Sequence, residues 1–243
     1  MDSLVSVTEE ARRRLGEARS VAVLTGAGIS ADSGVPTFRG PEGLWRSFRP
    51  EELATPEAFL RDPNLVWEWY DWRRGKVAAC RPNPAHDAIV RLESRVPRFS
   101  LLTQNVDGLH REAGSQNVIE LHGNIWKVRC TNCHEVGDNR DVPIQVPPHC
   151  ETCGGLLRPH IVWFGESLDP DDIRAAFEAA ESCEVFLVVG TSGIVQPAAS
   201  FVSTAKRAGA FVIEANLDPT PNTWIVDVHL SGRAAEVLPS LID

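Results

Sequence analysis

The sequence predicts an α/β fold in which a doubly wound parallel sheet carries a smaller second lobe. The first observation is a set of short apolar runs typical of buried parallel strands, at residues 21–25, 99–103, 118–121, 185–189, 211–215 and 224–228. The second is that amphipathic helical patterns, at 171–183 and 196–209, lie between strands. Strands that alternate with helices indicate a sheet covered on both faces.

Two segments break this alternation and predict the second lobe. Residues 32–76 are rich in proline, glycine and tryptophan and contain no convincing strand, whereas residues 126–157 hold four of the six cysteines. We expect these insertions to form one small domain, helical in the first segment and built around the cysteines in the second. The sheet domain would then comprise residues 1–31, 77–125 and 158–243.

The composition disfavours several classes of protein. A chain of 243 residues that is 43% hydrophobic can bury a sizeable core, yet no apolar run is long enough to cross a bilayer. The formal charge of −9 disfavours nucleic acid as a direct partner, because phosphate contacts need clustered Lys and Arg. The N-terminus lacks the apolar core of a secretory signal, so we expect a cytoplasmic protein. The oligomeric state stays open, and a monomer is compatible with the sequence.

A glycine-rich stretch follows the first strand. Gly26, Gly28 and Ala31 match the dinucleotide fingerprint G-x-G-x-x-A, in which glycines let the backbone approach a pyrophosphate at a helix N-terminus. A tight strand–helix turn in a core is the alternative explanation. No second strand with an acidic end follows about twenty residues later, so the pattern disfavours a hydride-transferring dehydrogenase.

The cysteines predict a structural metal site. The spacing C-x2-C-x16-C-x2-C supplies four thiolates in the arrangement that zinc prefers, from Cys130, Cys133, Cys150 and Cys153. A closed four-cysteine site has no position for water, so we assign the metal no catalytic role. We expect Cys80 and Cys183 to be ordinary buried thiols.

Polar side chains follow several predicted strands, at the edge where parallel sheets bind ligands. Gln104, Asn105 and Asp107 come after one strand, and His122 comes after the next. A histidine titrates near neutral pH and can take a proton from a hydroxyl group. A polar turn and a structural histidine are the alternatives. Two further strand ends carry similar groups, in GTS (190–192) and EANLD (214–218).

Taken together, these motifs resemble the sirtuins, a family of NAD-dependent protein-lysine deacylases. GAGISADSGVPTFRG, TQNVDGLH, ELHG, the paired CxxC motifs, RPHIVWFGE and GTSG occur in the order and spacing of that family. The resemblance implies a Rossmann-type domain beside a small domain made of a zinc ribbon and a helical insertion, with NAD between them. It further implies that NAD is consumed, giving nicotinamide and O-acyl-ADP-ribose.

The resemblance also implies roles for individual residues. His122 would be the catalytic base. Asn105 and Asp107 would hold nicotinamide and the ribose attached to it and would assist the departure of nicotinamide. The remaining NAD-binding residues would be Gly26, Ala27, Gly28, Ala31, Phe38, Arg39, Trp45, Gln104, Val106, Gly190, Thr191, Ser192, Asn216, Leu217, Asp218 and Ala234. Acyl-lysine proteins or peptides would be the partners. They would dock as an extended strand against Val162, Phe164, Gly165, Glu166 and Val195.

Tyr70 and Arg73 predict the kind of acyl group. Positions i and i+3 share one helix face, and a phenol beside a guanidinium suits a carboxylate. The Tyr-x-x-Arg pattern is similar to the desuccinylase-type subgroup of sirtuins, which implies succinyl, malonyl and glutaryl substrates in addition to acetyl. The alternative is a packing helix whose arginines face solvent. In either case we expect Arg74 to point elsewhere and the neighbouring indoles to be packed, namely Trp67, Trp69 and Trp72.

Three other functions remain compatible with parts of the sequence. A general deacetylase would merely tolerate Tyr70 and Arg73. A mono-ADP-ribosyltransferase would use the same NAD site. A binding module without enzymatic activity would need only the four cysteines, although the acidic composition and the intact NAD motifs argue against it.

Overall fold

The computed structural model describes residues 2–37 and 49–243 of the chain, which contain nine strands and ten helices. The strands are β1 Ser20–Thr25, β2 Arg98–Thr103, β3 Val118–Glu120, β4 Gly123–Cys130, β5 Val136–Asp138, β6 Leu157–Ile161, β7 Val185–Val189, β8 Phe211–Asn216 and β9 Val228–Ser231. The helices are α1 Asp2–Glu17, α2 Gly28–Ala31, α3 Pro50–Leu53, α4 Pro56–Arg61, α5 Pro63–Ala78, α6 Pro84–Arg95, α7 Leu109–Ala113, α8 Pro170–Ser182, α9 Ala198–Arg207 and α10 Ala234–Ile242.

The large sheet is parallel throughout and has six strands in the order β3-β2-β1-β7-β8-β9. This is the order of a Rossmann-type sheet, so the predicted fold class is confirmed. From β1 the chain adds β2 and β3 on one side. After the second sheet it returns to β7 beside β1 and adds β8 and β9 on the other side. The switch point between β1 and β7 opens a crevice at the carboxyl ends of the strands, where folds of this type bind ligands.

Strand β1 lies in the middle of the large sheet, and all six of its residues are buried. Successive side chains point to opposite faces of a strand, so Val21 and Val23 pack on one face and Ala22 and Leu24 on the other. Helices α1, α6 and α10 cover the first face, and α8 and α9 cover the second. The uninterrupted apolar runs in the sequence reflect this coverage on both sides.

A second, three-stranded sheet lies in the order β5-β4-β6 and is antiparallel. It packs with α4 and α5 in a separate apolar cluster that includes Trp67, Tyr70, Trp126 and Trp163. No strand occurs in the described part of residues 32–76, which contributes helices as expected. Each of α4, α5 and α6 begins with a proline after a capping side chain, from Thr55, Asp62 and Asn83 respectively.

The predicted strand at residues 224–228 is wrong in its bounds, since β9 begins only at Val228. A turn occupies most of the preceding segment, where the Thr223 amide donates to the Thr220 carbonyl (3.1 Å). Both threonine hydroxyls also donate to the buried carboxylate of Glu214. These polar contacts bend an apolar run that looks extended in the sequence.

Among the described residues, no helix is both long enough and apolar enough to cross a membrane.

Candidate active site

The crevice between β1 and β7 is formed by two glycine loops in direct backbone contact. The Gly28 amide donates to the Gly190 carbonyl at 2.8 Å, and the Gly26 amide donates to the Val189 carbonyl at 3.0 Å. A Cβ added to Gly28 would lie 2.7 Å from the Cα of Gly190. These glycines are therefore needed for the two loops to pack together.

The polar residues after β2 connect the same two loops. Gln104 donates through Nε2 to Thr191 Oγ1 at 3.0 Å. Asn105 donates through Nδ2 to the Gly26 carbonyl at 3.1 Å and to Ser30 Oγ at 3.2 Å. The side chains predicted from separate motifs thus lie together at the carboxyl edge of the sheet.

Asp107 lies in the same loop and is only 5% exposed. Its Oδ1 accepts from the Leu109 amide at 2.9 Å, and its carboxylate also hydrogen-bonds Ser30. Burial raises the pKa of Asp107, although these hydrogen bonds and the nearby charge of Arg73 oppose that rise. The carboxylate is therefore held in one orientation at the bottom of the crevice.

His122 follows β3, and its tautomer is set by one hydrogen bond. Nδ1 lies 3.0 Å from the Gln104 carbonyl, which can only accept, so Nδ1 carries the proton and Nε2 keeps its lone pair. Burial lowers the pKa of His122, and the bond to the carbonyl opposes that change. A neutral imidazole with a free lone pair has the form required of a general base.

Further residues expected to bind NAD lie at or after the ends of β8 and β9. Asn216 donates through Nδ2 to the carbonyls of Thr191 and Asp218, both at 3.0 Å. Leu217 beside it is 59% exposed, whereas Ala234 begins α10 and is buried. Amide, hydroxyl and backbone groups thus line the edge on both sides of the switch point, a donor set that fits a dinucleotide. Phe38, Arg39 and Trp45, also predicted to bind NAD, lie outside the described residues.

Tyr70 and Arg73 converge on one face of α5, as their spacing predicts. They are 1% and 7% exposed, and the guanidinium carbon of Arg73 lies 5.6 Å from the centre of the Tyr70 ring. Burial raises the pKa of Tyr70 and lowers that of Arg73. The guanidinium carbon of Arg73 lies 4.9 Å from the centre of the Trp69 ring. The indole of Trp163 donates to the Tyr70 hydroxyl at 2.9 Å.

The other basic side chain of this segment, Arg74, lies on a different face of α5. It is fully buried and donates to the carbonyl and side-chain oxygens of Asn139, each at 2.5 Å. The alternative in which the arginines face solvent is therefore wrong for both Arg73 and Arg74. The expectation that Trp72 is packed is also wrong, since its side chain is 40% exposed, whereas Trp67 and Trp69 are buried.

The segment expected to receive the peptide uses several of its amides within the chain. Val162 donates to the His122 carbonyl, Phe164 to the Ala54 carbonyl and Glu166 to the Trp163 carbonyl, each at 3.0 Å. The Glu166 side chain pairs with Arg158 at 2.6 Å and so is also held internally. A docking strand would have to pair through the remaining groups of Val162 to Glu166 and of the loop that contains Val195.

The four predicted metal ligands lie together beside β4. All four Sγ atoms lie within 4.8 Å of one another, with Cys130–Cys153 at 3.5 Å and Cys133–Cys150 at 3.8 Å. Four sulfurs about 2.3 Å from a central zinc would be about 3.8 Å apart, so the cluster fits that ion. Cys80 and Cys183 are buried away from this cluster, and burial raises the pKa of Cys183 to about 11, as expected of ordinary thiols.

Comparison with known proteins identifies the family. The model of the Sir2 family matches residues 26–197. An NAD-dependent protein deacylase of Aquifex aeolicus (strain VF5) is 55% identical over 225 residues, which cover 92% of this chain and 94% of that relative. The chain belongs to the Sir2 family. A second relative, NAD-dependent protein deacylase 2 of Pyrobaculum aerophilum, is 56% identical over 230 residues, 94% of this chain and 92% of its own length.

Solved structures of Sir2 proteins agree with this assignment. The complex of a Sir2 homologue with NAD has a TM-score of 0.91 and 49% identity, covering 96% of this chain and 92% of that one. A Sir2 protein bound to a myristoylated histone peptide has a TM-score of 0.80 and 36% identity, covering 98% and 95%. The predicted class, an NAD-using protein deacylase with a structural zinc site, is therefore confirmed at the level of the Sir2 family.

Beneath this Sir2 site lies a buried polar layer that the sequence analysis missed. His110 Nε2 lies 3.0 Å from Thr25 Oγ1, and the rings of His86 and His110 are 4.9 Å apart. Burial lowers the pKa of His86 to about 4 and that of His110 well below its usual value. Ser30, which bonds Asn105, also lies 3.5 Å from His86. Ser30 and His110 fall inside recognised motifs, but nothing local singles them out.

Proposed function

We propose that this Sir2 protein removes acidic acyl groups, namely succinyl, malonyl and glutaryl, from lysine side chains, with acetyl as a further substrate. The observation that carries the proposal is the burial of Arg73 beside Tyr70 on one face of α5. A Sir2 protein has been solved with a myristoylated histone peptide bound. This supports acyl-lysine proteins or peptides as the partners. The proposed location, the cytoplasm, rests on the sequence alone.

The electrostatic argument depends on the burial of a permanent charge. Burial lowers the pKa of Arg73, yet an arginine stays protonated in proteins, so the guanidinium brings a positive charge into a largely dry region. A carboxylate on the acyl chain would accept hydrogen bonds from both Arg73 and Tyr70. Such a charge-assisted bond contributes about 1.5–3 kcal/mol, which corresponds to about one to two decades of preference over acetyl.

The residues at the switch point would perform the remaining chemistry. When bound, NAD supplies a ribose carbon that becomes electrophilic as nicotinamide departs and that the acyl oxygen can then capture. Asn105 and Asp107, both buried and fixed by hydrogen bonds, would hold the nicotinamide end in place. His122 would take a proton from a ribose hydroxyl through Nε2, its unprotonated nitrogen. That hydroxyl would then attack the acyl carbon, and addition of one water molecule would release the lysine. The products would be free lysine, nicotinamide and O-acyl-ADP-ribose.

The domain division follows from the same proposal. The small domain, residues 32–76 and 126–157, would contribute α5 and the zinc cluster. The sheet domain, residues 1–31, 77–125 and 158–243, would contribute the loops at the switch point. NAD and the peptide would lie between the two domains.

The test compares kcat/KM on succinyl-lysine and acetyl-lysine versions of one peptide. Arg73→Met should lower the succinyl/acetyl ratio about 10- to 100-fold, because the bond to the acyl carboxylate is lost. Arg74→Met is the matched control, since it removes the neighbouring buried arginine, which bonds Asn139 instead. A ratio unchanged by Arg73→Met would contradict the acid pocket and favour a general deacetylase.

The products distinguish deacylation from the other NAD-dependent reaction. Mass spectrometry of a reaction with succinyl-lysine peptide should detect O-succinyl-ADP-ribose and free lysine in equal amounts. Transfer of ADP-ribose to a protein, without loss of the acyl group, would instead indicate a mono-ADP-ribosyltransferase.

A further inference from the structure

The Tyr70 hydroxyl has two neighbours that can only donate hydrogen bonds. Nε1 of Trp163 donates to the phenol oxygen at 2.9 Å, and the guanidinium carbon of Arg73 lies 5.6 Å from the centre of the Tyr70 ring. Neither an indole N–H nor a guanidinium can accept a hydrogen bond. The phenol oxygen accepts from Trp163, and its own proton points to an acceptor other than these two neighbours.

We propose that Trp163 is a positioning residue for acyl selectivity, because its indole N–H orients the Tyr70 hydroxyl as a donor toward the carboxylate of an acidic acyl group. This inference rests on the function proposed above. The acyl carboxylate would then meet two donors, the phenol O–H and the Arg73 guanidinium. An acetyl group ends in a methyl and gains nothing from either donor.

Trp163 is itself held in place by an ion pair within RPHIVWFGE. The guanidinium carbon of Arg158 lies 3.5 Å from the Trp163 ring centre. Arg158 bonds both carboxylate oxygens of Glu166, at 2.6 and 2.8 Å, and Glu166 accepts from the Trp163 amide at 2.8 Å. The ring of Phe59 packs 5.3 Å away. Both the backbone and the ring of Trp163 are thus fixed, and its side chain is 3% exposed.

This arrangement separates packing from orientation. A phenylalanine at position 163 would still fill most of the apolar space between Phe59 and Arg158, but it has no N–H. The Tyr70 oxygen would lose one donor, and its hydroxyl could then rotate. Trp163→Phe should therefore lower the preference for succinyl over acetyl while most of the apolar packing is kept.

The first measurement uses the fact that Tyr70 is the only tyrosine of the chain. Protein labelled with ¹³Cζ-tyrosine gives a single tyrosine resonance, whose chemical shift reports hydrogen bonding at the phenol. Trp163→Phe should move this resonance. Trp67→Phe is the matched control, because it deletes an indole N–H that donates to the Leu157 carbonyl in the same apolar cluster. A resonance that Trp163→Phe leaves in place would overturn the inference.

The second measurement is a double-mutant cycle on the succinyl/acetyl ratio of kcat/KM. Trp163→Phe and Tyr70→Phe should each lower the ratio several-fold, mainly through a higher KM for the succinyl peptide. The ratio in the double variant should be no lower than the ratio in Tyr70→Phe alone, because the indole acts through the phenol. Trp67→Phe should leave the ratio unchanged.

The outcomes separate this inference from the proposed function. A ratio that falls in Arg73→Met but holds in Trp163→Phe overturns the role of Trp163 alone. Additive losses in the double variant do the same, since they mean that Trp163 acts independently of Tyr70. A succinyl/acetyl ratio that is unchanged in both Arg73→Met and Trp163→Phe overturns the acid pocket itself.

Discussion

One backbone contact gives His122 the form required of the proposed catalytic base. The Gln104 carbonyl can accept from Nδ1 only when that nitrogen is protonated, so the lone pair stays on Nε2. Burial lowers the pKa of the ring, which removes the need to deprotonate it before it can act. The proposed base is therefore more fully neutral near pH 7 than an ordinary histidine.

The first prediction concerns the pH dependence of kcat/KM. Because the pKa of His122 is lowered from the usual 6.5, the neutral, active form should persist below that value as the pH falls. The acid limb of the profile should therefore lie below about pH 6.5. His122→Ala should abolish turnover and still bind one zinc per chain. An acid limb above pH 6.5, or loss of zinc in the variant, would contradict the assigned role.

Helix α5 makes separate contacts on two of its faces. Tyr70 and Arg73 lie on one face. The other is tied to the segment between Cys133 and Cys150, where the Ile144 amide donates to Asp71 at 2.8 Å and Arg74 bonds Asn139. Cys133 and Cys150 hold the two ends of that segment at the metal site, so a bound zinc should stabilise the helix that carries the proposed acyl pocket.

The second prediction follows from that connection. Replacing Cys150 by Ser should remove zinc and raise hydrogen exchange in the amides of α5, because the loop that anchors them is released. Strands β1 and β2 should keep their protection, since they belong to a separate core. Hydrogen exchange followed by mass spectrometry measures both regions. Cys183→Ser serves as the control thiol. Unchanged exchange in α5 would disprove the coupling.

At the scale of the whole molecule, the two buried histidines couple stability to pH. His86 lies beneath the site, where its Nδ1 accepts from the amide of Asn83 at the start of α6. Its pKa is lowered from 6.5 to about 4, so between these values the unfolded chain binds more protons than the folded one. The stability that neutral His86 contributes is therefore fully present above about pH 6.5, and this contribution is lost as the pH falls toward 4.

The third prediction tests this coupling with His86→Gln. Glutamine can keep the capping interaction with the Asn83 amide but does not titrate. Urea unfolding between pH 4 and 6.5 should show a free energy of unfolding that rises with pH in the wild type. The slope should be smaller in the variant, by up to about 1.4 kcal/mol per pH unit. Equal slopes would mean that His86 does not contribute.

The sequence alone determined the elements and the ligands whose signals are local. Apolar runs predicted most of the strands of the large sheet, and cysteine spacing predicted the metal cluster, because strand burial and tetrahedral coordination leave short-range patterns. The Tyr70–Arg73 pair was predictable for the same reason, since three residues on a helix fix a common face.

Only the tertiary structure decided which side chains meet across long stretches of chain. Trp163 contacts Tyr70 over 93 residues, Arg74 turns away to Asn139, Trp72 stays exposed, and an apolar run before Val228 bends into a turn. None of these outcomes is encoded in a local period. Each depends on hydrogen bonds and packing between elements that come together only when the chain folds.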